Sequence, residues 1–421
     1  MRVVVYPHMM EIGGSQLNAI ELAGAVRDLG HDVVVFAQPG PLAARVAELG
    51  LELVPAPRPG LRPSPRVMRA LGQLVRGRSI DVVHGYEWTT AMEAYWGPRA
   101  WLGVPAVCTV MSMAVAPFLP RDMPLIVGTE QIAAHERAGG RAAVEVIEPP
   151  VDVRHNAPGA ADGAEFRRRH ELDPDAFTVV CVTRLAAELK LEGVLTAIDA
   201  VAELALGGPA QLAIVGDGPT RAQIAARAAE ANARVGRQVV VLTGELHDPR
   251  GAYAAADVCL GMGGSSLRAM AFARPVVVQG ERGFWELVTP DSVPGFLWTG
   301  WYGVGDGAEH GRAKLEGILR ELRDDGERRA SLGAYTRGLV EERFALQVAA
   351  PRQLQLYHRA IADAPTSPRQ WLAPGGASAS KLVAYELKRR IAGLLGRSSL
   401  DDMNAQPVAA ASSLEAPALR R

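Results

Sequence analysis

The chain has 421 residues, 48% of them hydrophobic, and 45 Lys and Arg balance 46 Asp and Glu to a net charge of -1. That length supports two domains with full cores, and the balanced charge offers no global basic field for nucleic acid. Apolar runs fall short of the roughly 18 residues a membrane-spanning helix needs, and Cys108, Cys181 and Cys259 stand far apart in apolar runs, as reduced core residues do rather than disulfides or metal ligands.

The first residues, Met-Arg-Val-Val-Val-Tyr, enter a strand without a signal-peptide pattern, so the expected location is the cytoplasm. Arg2 to Tyr6 reads as a buried strand. A Gly13-Gly14-Ser15 turn, a helix from about Leu17 to Leu29 stopped by Gly30-His31, and a strand Val33 to Phe36 follow. Strand, Gly-Gly turn, helix and strand form the right-handed parallel unit of a doubly wound sheet. The G-x-G-x-x-G fingerprint is absent, which disfavours nicotinamide or flavin chemistry.

The pattern continues with a helix over Pro41 to Leu49, a strand Leu51 to Val54, and an Arg-rich helix Ser64 to Arg76 carrying Arg66, Arg69 and Arg76. Val82 to His84, Val104 to Val110 and Leu125 to Val127 are further buried strands. His84-Gly85-Tyr86-Glu87-Trp88 is placed just past a strand's carboxyl end, where open parallel sheets bind ligands, so His84, Glu87 and Trp88 are candidate site residues. Trp88, Trp96 and Trp101 read equally as core. Glu148-Pro149-Pro150-Val151-Asp152 then breaks the pattern, and the Pro, Gly, Ala and Asp of Asn156 to Gly163 mark a linker.

A second doubly wound pattern starts at Thr178 to Val182. It continues with a helix Leu191 to Leu206, a strand Leu212 to Val215 ending in Gly216-Asp217-Gly218-Pro219, a helix over 220–235, a strand Val239 to Leu242 and a helix near 249–255. Val258 to Met262 is a short strand and Leu267 to Phe272 a helical turn, with Gly261, Gly263 and Gly264 between them and Ser265 as the expected N-cap. A Gly-rich turn ending at a helix N-terminus presents backbone N–H groups and the positive end of a dipole, a receptor for phosphate. The other reading is a tight strand-to-helix turn that binds nothing. Pro275 to Val278 closes the sheet. Leu315 to Val340 reads as mostly helical, Phe344 to Ile361 as a last helix returning to the first half, Ser380 to Leu395 as an amphipathic helix with Val383, Leu387, Ile391 and Leu394 on one face and Lys388, Arg389 and Arg390 beside them, and the residues from Arg397 as disordered.

Two Rossmann-like halves with this punctuation resemble the retaining GT-B glycosyltransferases of family four, glycosyl transferases group 1, over roughly residues 1 to 360. The likeness is carried by Gly13-Gly14, Gly30-His31, Glu148-Pro-Pro-Val-Asp152, Arg184-Leu185 with Lys190, Gly216-Asp217-Gly218-Pro219, and Gly244. Ala256-Asp257-Val258, Gly261-Met262-Gly263, Ala269-Met270-Ala271 and Pro275-Val276-Val277 complete it. The resemblance implies an α/β GT-B fold with two doubly wound domains facing a central cleft. The expected division is an acceptor domain at 1–155, a linker at 156–175, a nucleotide-sugar domain at 176–345, a returning helix at 346–362, and a tail at 363–421.

It further implies a metal-independent hexosyl-type transferase that needs no cofactor beyond a nucleotide-diphosphate sugar donor. The acceptor would be a small molecule, a glycan or a lipid-linked compound, and retention of anomeric configuration is expected. Arg184 and Lys190 map onto the family's diphosphate-binding cations. A compact ammonium suits a phosphate, and no other lysine precedes position 314. Gly216, Gly218, Gly263, Gly264, Ser265, Ser266, Arg268 and Glu286 are expected on the donor side, and Gly13, Gly14, Ser15, His84, Glu87 and Trp88 on the acceptor side, with no metal ligand.

Departures stand beside the likeness. The family's two carboxylates, with seven residues between them, fall at Leu260 and Arg268, and its histidine after the Thr-Val strand falls at Met111. Arg268 either approaches the diphosphate or points to solvent; Glu286 matches a later family glutamate. A non-catalytic GT-B binding or scaffold protein is the alternative to an enzyme, and a nucleotide-sugar epimerase a minor one. The arginines of the 64–76 helix and the basic 380–395 helix are read either as a peripheral contact with the inner face of a membrane or as solvated faces.

Overall fold

The computed structural model describes residues 1–60, 62–364 and 369–394. They form two compact units, one of Met1–Pro150 with the described residues from Leu346 onward, the other of Val151–Ala345.

The first unit begins β1 (Arg2–Tyr6), α1 (Gly14–Asp28), β2 (Asp32–Ala37), α2 (Ala43–Glu48), β3 (Glu52–Pro55), α3 (Pro65–Arg78), β4 (Val82–Tyr86) and α4 (Glu87–Ala94). A π turn over Tyr95–Arg99, α5 (Ala100–Leu102), β5 (Ala106–Val110), β6 (Leu125–Val127), α6 (Glu130–Ala138) and β7 (Val144–Val146) follow. Seven parallel strands lie in the order β3-β2-β1-β4-β5-β6-β7, so the strand order reverses between β1 and β4. The Val runs that read as buried strands are buried on both faces, as parallel sheets require. Helix starts are locally encoded: Ser64 caps α3 by accepting from the Val67 N–H, with Pro65 in the first turn, and Thr129 caps α6 from Ile132.

The second unit contains α7 (Gly163–Arg169), β8 (Phe177–Val182), α8 (Leu191–Leu206), β9 (Ala210–Val215), α9 (Arg221–Val235), β10 (Val240–Gly244), α10 (Arg250–Ala255), β11 (Val258–Gly261) and α11 (Gly264–Ala271). It ends with β12 (Val276–Gln279), β13 (Trp285–Leu287), α12 (Val293–Thr299), α13 (Ala308–Asp324), α14 (Gly326–Leu339) and a π turn, Val340–Phe344. Its sheet runs β10-β9-β8-β11-β12-β13, parallel except for the edge strand β13, and reverses order between β8 and β11. Val194, Ile198, Leu315 and Leu319 pack one face; Tyr253, Leu267, Met270 and Phe344 pack the other.

Several expectations change. The mostly helical stretch Leu315 to Val340 divides into two helices, because Asp325 ends α13 and caps α14, its carboxylate accepting from the Arg328 N–H at 2.8 Å. The stretch read as linker holds α7, capped by Asp162 and anchored by Phe166 against Gly251. β13 and α12 are additions.

The last helices, α15 (Leu346–Ala362) and α16 (Arg369–Leu394), belong to the first unit. Leu356 and Tyr357 of α15 join Ile20, Leu22 and Val35 on one face of its sheet. Leu382 of α16 joins Val67, Leu71, Met92 and Phe118 on the other, and Ser378 donates to the Phe118 carbonyl at 2.6 Å. Val383 and Leu387, expected on the apolar face of α16, are exposed at 68% and 60%, because Ser378, Leu382 and Tyr385 form the packed face instead. The disordered tail expected from Arg397, and the end of the expected helix at Leu395, lie outside the described residues.

Candidate functional site

Two crevices form where strand order reverses, the position at which doubly wound sheets bind ligands. In the second unit the crevice is at the carboxyl ends of β8 and β11. Glycines let its loops pass closely: a Cβ on Gly216 would overlap the Thr183 carbonyl, and one on Gly218 the Leu185 carbonyl. Both glycines thus have a packing role in joining the loop after β8 to the loop after β9.

The Gly-rich turn follows β11. Gly263, at φ 58° and ψ −130°, is the residue before α11, a conformation open in practice to glycine alone. Ser265 is therefore not the N-cap. It lies inside the first turn, where its Oγ accepts from the Met262 N–H at 3.2 Å and donates to the Met262 carbonyl at 3.1 Å. Gly263, at positive φ, starts the helix two residues earlier than a Ser265 cap would. Gly264 and Ser265 then carry the leading N–H groups of α11, which have no intrahelical acceptor. Ser266, expected on the donor side, is fully buried, its Oγ packed 2.7 Å from where a Gly261 Cβ would lie. Its hydroxyl faces the core, since Ser266 lies on the buried side of α11 with Ala269 and Met270, three and four residues on.

Lys190 stands at the start of α8 and crosses to this turn: its Nζ lies 2.8 Å from Met262 Sδ. Burial lowers its pKa to about 8, the neighbouring Cys181 thiol acting to raise it and Arg184 to lower it. Arg184 is exposed in the loop after β8. Arg268 is half-buried and turns back along α11, its Nη1 3.3 Å from the position a Gly264 Cβ would take. So Lys190, Met262, Gly263, Gly264 and Ser265 come together, with Arg268 above the same helix end. Leu260, at one of the missing carboxylate positions, is a core residue at 1% exposure. Glu286 is half-buried at the centre of β13, paired across the strands with Val278.

In the first unit Gly13 precedes α1 in extended backbone, and Gly14 and Ser15 form its first turn. Glu87 opens α4 with φ 67° and is nearly buried. Its carboxylate accepts from Ser15 Oγ at 3.0 Å, from the Met111 N–H at 3.0 Å and from Ser112 Oγ at 2.9 Å. A non-glycine residue held at positive φ by three charge-assisted hydrogen bonds is local strain retained by its surroundings. Trp88 packs edge-on to Phe118, with ring centroids 5.1 Å apart, and half-joins the core. Trp101, by contrast, is 53% exposed beside Gly72 of α3.

His84 corrects its expectation. It lies inside β4, fully buried, not past the strand's end. Nδ1 meets Tyr357 Oη and Nε2 meets Thr109 Oγ1, both at 2.6 Å, and burial holds its pKa at about 3. Gln353 donates to the same Tyr357 oxygen at 2.7 Å, and burial keeps the His84 ring neutral, so that one ring nitrogen donates and the other accepts. This histidine docks α15. Sequence reasoning missed Glu93, a fully buried carboxylate that accepts from Tyr6 Oη at 2.6 Å, the Ser64 N–H at 2.9 Å and Arg62 at 3.2 Å. It also missed Gln279. Glu93 lies inside α4 and Gln279 ends β12, and a lone polar residue in an apolar segment carries no periodic signal in either case.

A cavity of about 770 Å³ opens at the opposite, amino ends of β8 and β11. Its Arg167 and Arg274 are already bonded to the Ala255 and Ala254 carbonyls, so it is set apart from the site.

Comparison with known proteins agrees with the geometry. Residues 12–154 match the model of "Glycosyltransferase Family 4", and residues 176–301 that of "Glycosyl transferases group 1". No curated protein sequence matches the chain. Among solved structures, a glycosyltransferase from Rickettsia africae superposes with TM-score 0.67 at 14% identity, covering 86% of this chain and 99% of that one. Anabaena HepE in complex with UDP gives 0.64 at 16% identity, covering 85% and 100%. WaaG, a glycosyltransferase involved in lipopolysaccharide biosynthesis, gives 0.55 at 15% identity, covering 87% and 100%. These likenesses establish the fold as GT-B. With a family model matched in each unit, the chain belongs to the family four, group 1 glycosyltransferases.

Proposed function

We propose that the chain transfers a hexose-like sugar from a nucleotide-diphosphate sugar to an acceptor bound by the first unit, with retention of configuration and without a metal. One observation carries this: Lys190 reaches from the start of α8 to the Gly-rich turn before α11, so an ammonium and a set of free N–H groups share one place. Arg184 and Lys190 meet the charge that grows on the departing diphosphate, and each charge-assisted contact contributes about 1.5–3 kcal/mol. A same-face displacement, in which the departing phosphate helps to activate the acceptor, goes with this reading.

Lys190→Ala tests the reading. Nucleoside-diphosphate affinity should fall at least about tenfold, roughly 1.4 kcal/mol, while nucleoside affinity stays level. Equal loss for both ligands would move Lys190 away from the phosphates. The core position of Leu260 favours a second reading, a nucleotide-binding protein that no longer transfers. Slow donor hydrolysis by the pure protein supports the enzyme; none supports the second reading.

The acceptor is read as small, glycan or lipid-linked, and the protein as cytoplasmic with peripheral contact at an anionic bilayer. Arg66, Arg69 and Arg76 are exposed on α3. No helix among the described residues is long and apolar enough to cross a membrane. Salt-reversible sedimentation with anionic vesicles checks the contact, and no co-pelleting at low salt ends it.

A further inference from the structure

Gln279 is the last residue of β12, and strand alternation puts it on the same face of the sheet as Val277, toward α8. Register pairs Val278 with Gly261, so the next residues, Gln279 and Met262, stand side by side at the carboxyl end of the sheet. Met262 is the residue Lys190 touches. Across from Gln279 is the first turn of the 16-residue helix α8. There Gly193 leaves room for the amide, whose Cδ and Oε1 lie 3.1 Å, and Nε2 3.3 Å, from where a Cβ would be.

The side chain is 1% exposed, and neither Nε2 nor Oε1 has a hydrogen-bond partner among the described residues. An amide buried in this way has given up water without replacing it, and an apolar residue of the same length would pack there at lower cost. Retaining an unsatisfied donor and acceptor beside a helix start and a lysine indicates a ligand that completes them.

We infer that the Gln279 amide binds hydroxyls of the donor's sugar and so helps to select that sugar, an inference that rests on the donor reading above. A neutral amide has no charge to offer a phosphate, but it presents one donor group and one acceptor together, the complement of a pair of hydroxyls. Lys190, beside it, meets the diphosphate. Gln279 has three side-chain torsions, and on this inference the amide turns from Gly193 toward its neighbour Met262, which Lys190 touches. The glycine at 193 is then the parking position of the unliganded amide.

The experiment is calorimetry with UDP, GDP, ADP and dTDP and with their glucose or mannose conjugates, on wild type and Gln279→Met. The variant keeps the length of the side chain and removes both polar atoms. Nucleoside-diphosphate affinity should stay within about twofold while nucleotide-sugar affinity falls about tenfold. The melting temperature should rise, because the unsatisfied amide is gone. Unchanged affinity for the nucleotide sugar overturns the inference, as does an equal fall for diphosphate and nucleotide sugar. If wild type binds none of the diphosphates, the donor reading fails and this inference fails with it. Should Gln279→Met not fold, Gln279→Asn, which keeps the amide but shortens its reach, is judged by the same two affinities.

Discussion

At the carboxyl ends of β1 and β4 a carboxylate, Glu87, gathers two hydroxyls and a backbone N–H; at the equivalent ends of β8 and β11 an ammonium, Lys190, lies against the Gly-rich turn. Both crevices sit where a parallel sheet reverses its order, and both face a helix that starts with glycines. The scaffold therefore sets where a ligand goes, and one ionised side chain per crevice sets what charge it carries. A phosphate at the start of α1 would meet the Glu87 charge, whereas one at the start of α11 would meet cations. On the reading proposed above, the second crevice takes the anion and the first the neutral hydroxyls of an acceptor.

The largest test removes the carboxylate. Glu87→Ala leaves Ser15, Ser112 and the Met111 N–H without their acceptor, and stability should fall by about 3 kcal/mol in urea unfolding. A loss below about 1 kcal/mol would show that Glu87 does not organise the first crevice, and the contrast with Lys190 would break.

The next test uses pH. Burial lowers the Lys190 pKa to about 8, and a bound diphosphate would raise it again. Binding thus takes up a proton above pH 8. Affinity should be full below pH 8 and fall as pH rises beyond it, by up to about tenfold per unit. Lys190→Arg should flatten this limb, since a guanidinium stays charged. A flat wild-type profile from pH 7.5 to 9.5 would separate Lys190 from the phosphates.

The smallest effect is expected at Arg268. Restoring the family's residue, Arg268→Glu, puts a negative charge near the start of α11 and should weaken diphosphate binding about threefold or more. Unchanged or tighter binding in calorimetry would remove the guanidinium from the charge balance of the second crevice.

The strand runs were legible because buried parallel strands are continuous apolar segments, and α8 is bounded as its pattern reads, Leu191 to Leu206. Antiparallel β13 has three residues and only two apolar ones, too few to show a period. Asp325 was hidden because the apolar spacing of α13 runs on into α14. Gly263, Gly264 and Lys190 could be picked out because glycine clusters and a rare lysine are compositional signals. His84 was misplaced by two residues of strand length, enough to convert a core histidine into an apparent crevice residue. Glu87 could be named, yet its positive φ and its three donors are tertiary facts. Gln279 could not be named, since only the packing against Gly193 distinguishes it from any polar strand end.

The return of α15 to the first sheet has a consequence for biosynthesis. The ring of His84 cannot meet the Tyr357 hydroxyl until some 270 further residues have left the ribosome, a separation of 273 positions. All of Val151–Ala345 is made in that interval and has its whole sheet to hand. The second unit is thus the first able to complete its core, while the amino-terminal half still lacks the part of its core that α15 adds beside α1, the reverse of the usual vectorial order. Nascent chains stalled before Leu346 are the species in which chaperone dependence and aggregation should concentrate.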